Sequence, residues 1–263
     1  MSARGSELLG RSGRASRAVL LASLVLAPGV VLAQDAAASS AGVQSDSAQS
    51  GDPWEFWPEL NLFTTVNPTT RFYFVAAESR GKEWELRTVD VAGYLDLTIG
   101  PRLRPLRLRR ASKKEDWQTK KYFWTRIGYD HIFQVEGETK QAPERRGIVA
   151  FHARHYLPGA ILMEGRTRAD LRWLEDGYST RYRFRIEANR DFTVLHRVMT
   201  PYFQAEGFYD SRYDRWARQL YQVGAEIGVS RHFRVEPSVA RQVDHLPSPS
   251  GLYAFAFVAR WYY

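Results

Sequence analysis

The chain has no cysteine among its 263 residues. That excludes a disulfide framework, a thiolate metal site and a cysteine nucleophile. Long apolar runs are missing beyond residue 33, so no later segment reads as a membrane-crossing helix. No GxSxG sequence occurs, and nowhere is the 3.6-residue period of an amphipathic helix convincing. A strong charge of one sign is lacking as well. The formal charge is +8, and it falls to +5 once residues 1–33, with four arginines and one glutamate, are set aside. That balance is too mild to signal nucleic-acid binding.

What the chain does hold is aromatics, at 14% with eight tryptophans, and charged residues, at 25%. The two are interleaved rather than segregated. At the N-terminus, Arg4, Arg11, Arg14 and Arg17 surround and precede a short apolar stretch from Ala18 to Val30. Val31-Leu32-Ala33 before Gln34 fits a small-residue cleavage site. Residues 1–33 therefore read as a secretory signal peptide, too short and too broken at Pro28-Gly29 for an anchor. Residues 34–53 are small, polar and low in complexity, the composition of a flexible leader. The folded domain is expected over 54–263.

From Trp54 onward the dominant period is two. In Tyr178–Asn189, Arg181, Arg183, Arg185 and Glu187 alternate with Tyr182, Phe184, Ile186 and Ala188. In Glu164–Trp173, Glu164, Arg166, Arg168, Asp170 and Arg172 share one face. The chain closes on "LYAFAFVARWYY", in which Tyr253, Phe255, Phe257, Ala259, Trp261 and Tyr263 oppose Leu252, Ala254, Ala256, Val258, Arg260 and Tyr262. Eleven candidate strands follow from this alternation and from turn signals such as Leu157-Pro158-Gly159 and Asp176-Gly177. They are Glu55–Thr64, Arg71–Ser79, Trp84–Ile99, Lys121–Val135, Ile148–His155, Leu162–Trp173, Thr180–Asn189, Val198–Tyr209, Trp216–Val229, Phe233–Gln242 and Leu252–Tyr263.

Period two fits either a water-soluble sandwich or a membrane barrel. The signal peptide, the persistence of the pattern over some 200 residues, small residues on the apolar face (Gly165, Ala169, Ala188, Ala205, Gly207) and aromatics bunched near strand ends favour the barrel. The expected fold is thus all-β, a transmembrane antiparallel up-and-down barrel in the bacterial outer membrane. Single-chain bacterial barrels use an even strand count, so the eleven segments point to twelve strands, or to ten. Residues 100–119 are the place where a further strand would hide. A C-terminus on the periplasmic side puts turns near Ser230, Asp191 and Leu157-Pro158 there, and loops 134–146, 209–215 and 244–250 outside.

In its C-terminal part the chain resembles an uncharacterised family of Gram-negative outer-membrane β-barrel proteins, catalogued only as a domain of unknown function. The likeness rests on Thr200–Asp210 ("TPYFQAEGFYD"), Arg166–Trp173 ("RTRADLRW") followed by Arg181-Tyr182-Arg183, and Arg234-Val235-Glu236-Pro237 running to Arg241-Gln242. Arg126-Ile127-Gly128-Tyr129 is a weaker echo. The resemblance implies a fold and a location, and no activity.

For the interior face the alternation nominates Arg126, Arg154, Arg166, Arg168, Asp170, Arg172, Arg181, Arg183, Arg185, Glu187, Glu206, Glu226, Arg234 and Glu236, with His152, Glu164, Gln204, Arg218 and Gln222 beside them. Basic groups outnumber acidic ones in that set. Two roles compete: a small porin-like passage biased toward anions, or a closed structural barrel whose lumen is filled by ion pairs. A lipid-modifying enzyme ranks third, because none of His131, His152, His155, His196, His232 or His245 sits in a catalytic motif. No cofactor and no metal is expected. His152 and His155 face opposite ways on a regular strand, and Asp210 and Asp214 with Arg212 and Arg215 read as a charged outer loop. Phe257, Trp261 and Tyr263 resemble the C-terminal signal read by barrel-assembly machinery. The expected partners are that machinery, outer-membrane lipid and lipopolysaccharide.

Overall fold

The computed structural model describes residues 52–67, 69–81, 85–98, 123–134, 143–245 and 250–263. The expected signal peptide, nearly all of the leader, and the basic stretch 100–119 lie outside the described residues.

Among the described residues there are twelve strands: β1 (Trp54–Asn67), β2 (Thr70–Arg80), β3 (Leu86–Thr98), β4 (Phe123–Gln134), β5 (Glu144–Leu157), β6 (Ile161–Leu174), β7 (Gly177–Asn189), β8 (Phe192–Val194), β9 (Arg197–Asp210), β10 (Arg215–Gly228), β11 (Phe233–Asp244) and β12 (Ser250–Tyr262). Eleven of them form a closed wall, each hydrogen-bonded on both edges to another of the eleven. Consecutive wall strands pair antiparallel, so the barrel is of the up-and-down type. The short β8 lies outside the ring. It pairs only with Arg197–Met199 of β9, beyond the point where β7 stops at Asn189↔Tyr202.

The wall count corrects the expectation of twelve or ten. Evenness follows only if the first and last strands close antiparallel. Here β1 runs parallel to β12 over ten consecutive partners, from Trp54↔Tyr253 to Phe63↔Tyr262. An odd ring must contain one parallel pair, and this is it. Stacked rings of Trp54 with Tyr253 (5.1 Å) and Phe56 with Phe255 (5.9 Å) reinforce the seam from outside. A consequence of odd closure is that the two termini leave from opposite ends. The amino end carries Pro53 and the turns 175–176 and 211–214. The carboxy end carries Tyr263 and the turns 158–160, 195–196 and 229–232.

The strands form because period two lets each segment bury one face. Inward lie small residues on β2, β11 and β12 (Ala77, Ala240, Ala254, Ala256, Val258) and charged ones on β4 to β9. Outward lie Phe74, Ile127, Phe151, Phe184, Ile186, Phe203, Val223 and Phe255, all exposed. The apolar face is therefore the outside of the barrel, the reverse of a water-soluble fold. Turn chemistry is ordinary at Gly159 and Gly177, which take positive φ values of 83° and 129°. It is strained at Leu195 and His196, where φ is 48° and 62° with no glycine present.

Candidate functional site

The lumen is built by register. On β5 to β9 the inward positions set arginines directly opposite one another: Arg146 with Arg172, Arg166 with Arg185, Arg168 with Arg183. Like charges so placed repel. Carboxylates offset the repulsion: one bridges Arg146 with Arg172 and another lies between Arg168 and Arg183, while Arg166 and Arg185 are held by different carboxylates. Glu144 accepts from Arg146 Nε (2.7 Å) and from Arg172. Glu206 accepts from Arg166 Nη2 (2.7 Å) and Arg183 Nε (2.8 Å). Asp170 pairs with Arg168 and lies 3.9 Å from Arg183, while Asp130 accepts from Arg168 Nη2 at 2.8 Å. Glu164 takes Arg154 (2.7 Å), Arg185 (3.3 Å) and the Nδ1 side of His152 (3.3 Å). Near the seam, Glu226 holds both Arg234 and Arg260, and Arg260 also reaches Glu236.

All of the arginines and carboxylates nominated from the sequence point into this lumen. The excess of positive charge does not survive. Glu55, Glu59, Asp90, Asp96, Asp130, Glu144, Asp210 and Asp244 are also buried inside. Two of them were masked by turn chemistry in the sequence. Glu144 is the first residue of β5, which starts four residues before the expected Ile148. Asp210 is the last residue of β9 and accepts from Arg172 Nη1 (2.8 Å) and Arg181 Nη2 (3.2 Å), so it belongs to the lumen and not to an outer loop. Its expected loop companions do sit outside: Asp214 accepts from Tyr209, and Arg212 pairs with Asp176. Asp90 and Asp96 were legible, since "VDVAGYLDLT" alternates as cleanly as the arginine segments.

The lumen divides along its axis. Toward the amino end the inward side chains are buried. Glu144, Arg146, Arg172, Arg181 and Asp210 are buried in one set of ion pairs, and Arg168 with Asp170 is buried in a second. An apolar cluster of Trp57, Phe208, Leu220, Ala240, Leu252, Ala254 and Ala256 is buried with them. Arg183 lies over the Phe208 ring at 4.6 Å and joins the cluster to the ion pairs. Toward the carboxy end a cavity opens, with about 210 Å³ of water-sized space. Trp57, Leu220, Arg183 and Glu206 line its inner end, and it runs to the rim at Asn189, Asp191, Val198 and Gly228. Its walls hold seven arginines (126, 154, 166, 183, 185, 234 and 260) and seven carboxylates (Glu59, Glu164, Glu187, Asp191, Glu206, Glu226 and Glu236). One wall is an aromatic stack of Tyr262, Phe63 and Tyr73, at 4.8 and 4.5 Å, continued by Tyr94 at 5.1 Å. Arg126 lies 4.3 Å over Tyr73.

His152 is buried beside Glu164 and stacked on Trp124 (4.4 Å), and no hydroxyl among the described residues meets its Nε2. Among the described residues no group of three or more His, Asp or Glu side chains has metal-binding geometry. Phe257, Trp261 and Tyr263 lie on the outward face of β12, with Phe257 between Pro58 and Pro237. No protein-family model matches the chain, and no curated protein matches it either.

Proposed function

We propose that the protein is an outer-membrane barrel whose lumen is closed by ion pairs, a structural component of the envelope and not a steadily conducting porin. The observation that carries this reading is the burial of the ion pairs around Glu144, Asp170 and Asp210 in the amino half of the lumen. The exposed apolar belt supports the membrane part. An arginine turned to lipid at mid-depth costs about 2–4 kcal/mol, and on β6 and β7 every arginine of the ladder is turned inward. Export by the residue 1–33 signal, recognition of the Phe257–Tyr263 end by assembly machinery, and the likeness to uncharacterised outer-membrane barrels belong to the same proposal.

A porin-like passage is the second reading. What favours it is the polar carboxy-end cavity. Its equal numbers of arginines and carboxylates remove the anion bias that the basic residues alone suggested. Conductance in a planar bilayer separates the two. The closed barrel gives a silent bilayer from protein whose gel mobility shifts on boiling. Steady channels would support the passage, and then Arg181→Leu with Arg183→Leu should change the reversal potential in a salt gradient.

A further inference from the structure

Among the described residues, the outward face of the wall carries a cation that the ion-pair networks do not absorb. On β5, Arg145 is exposed, and no carboxylate or hydrogen-bond acceptor among the described residues meets it. Elsewhere Arg241 is held by Asp52 at 2.6 Å, Arg80 by Glu78 at 2.6 Å and Arg197 by the Val229 carbonyl at 2.7 Å. The direct partner of Arg145 on β4 is His131, also outward, and on β6 it is Trp173. The next residue in that row is Tyr178, whose ring lies 5.8 Å from that of Trp173. On β4, His131 is flanked by Phe133, edge-on at 4.3 Å, and by Tyr129.

An unpaired guanidinium on an otherwise apolar surface has two physical fates. In hydrocarbon it is costly; at the headgroup level most of that cost disappears. Tryptophan and tyrosine on both sides mark that level, since their amphipathic rings favour the interface. There the complementary group is a lipid phosphate, which guanidinium binds in a planar two-pronged fashion. An imidazole next to it supplies a further N–H donor. We infer that Arg145 and His131, walled by Trp173 and Tyr178, form a binding site for the phosphate of an anionic lipid in the leaflet at the amino end. This inference rests on the membrane-barrel reading and specifies one of its lipid contacts.

The test is native mass spectrometry of the purified protein in detergent, titrated with phosphatidic acid or, separately, with phosphatidylcholine of the same chains. Phosphatidic acid should bind at least tenfold more tightly. Arg145→Gln should bring it to the phosphatidylcholine level, and Arg145→Lys should keep part of the preference. His131→Gln, a milder change that serves if Arg145→Gln does not fold, should weaken phosphatidic acid about threefold. Equal binding of the two lipids, or unaltered preference in either Gln variant, overturns the site. So does full displacement of the lipid by 50 mM inorganic phosphate, which would mean a free-anion site. A heat-shifted, folded barrel with no lipid preference sinks the site alone. Recovery of the protein from the soluble periplasmic fraction sinks the membrane reading with it.

Discussion

The two halves of the lumen use the same residue types to opposite effect. In the amino half, Arg172 and Arg181 converge on Asp210, Arg146 and Arg172 on Glu144, and Trp57 and Phe208 take up the remaining volume. In the carboxy half, arginines and carboxylates are equally abundant, yet a cavity remains. The difference lies on β9 and β10. There the inward positions toward the carboxy end include Thr200 and Gly228, which are small, beside Tyr202, Gln204, Gln222 and Glu226, where the amino half has Phe208 and Arg218. Charge alone therefore does not decide whether a barrel is filled. Side-chain length at a few neutral positions does, and the ion pairs only make the filled half expensive to open.

Odd closure separates the ends of the barrel most sharply, and it gives the largest expected effect. Because the chain has no cysteine, single cysteines can report each end. Asp52→Cys and Arg231→Cys lie at opposite ends of the wall. A membrane-impermeant maleimide added to intact cells should label one and reach the other only after permeabilisation. Labelling of both from one side would contradict the parallel β1–β12 seam.

Next in size is the energetic contrast between the halves. Asp210→Ala leaves Arg172 and Arg181 buried without that carboxylate. Removing one member of a buried ionic group costs about 3–5 kcal/mol, to be read from urea unfolding in vesicles. Glu187→Ala, in the cavity wall, releases only a 4.0 Å contact with Arg185 and a 2.9 Å hydrogen bond from Asn189. Its cost should stay below about 1 kcal/mol. Equal losses at the two positions would remove the distinction between a filled and an open half.

Much of the wall was legible in the sequence. The alternation of Arg181, Arg183 and Arg185 with Tyr182, Phe184 and Ile186 locates β7 and its facing, and the eleven candidate segments correspond to the eleven wall strands. Period two is a local property, so it reports facing and length. It does not report which edges meet, and that is why closure was expected to be antiparallel and the count even. Asp210 was read as loop because Asp210-Ser211-Arg212 carries turn chemistry, and its burial depends on Arg172 and Arg181, which reach it from β6 and β7. The division of the lumen was invisible for a related reason. It depends on the depth at which Trp57 of β1 meets Phe208 of β9 and Leu220 of β10, residues brought together only by the closed wall.

The most direct test of a lumen filled at one end is cysteine accessibility inside it. Ser179, on β7 near the amino mouth, is 4% exposed, whereas Thr200 lines the carboxy-end cavity. Ser179→Cys and Thr200→Cys, in protein folded in detergent, would be treated with a small charged thiol reagent. A filled amino half leaves the cysteine at 179 at least a hundredfold slower to react than the one at 200. Comparable rates at both positions would mean that water and solutes pass through the ion-pair network, and the lumen would then be a channel.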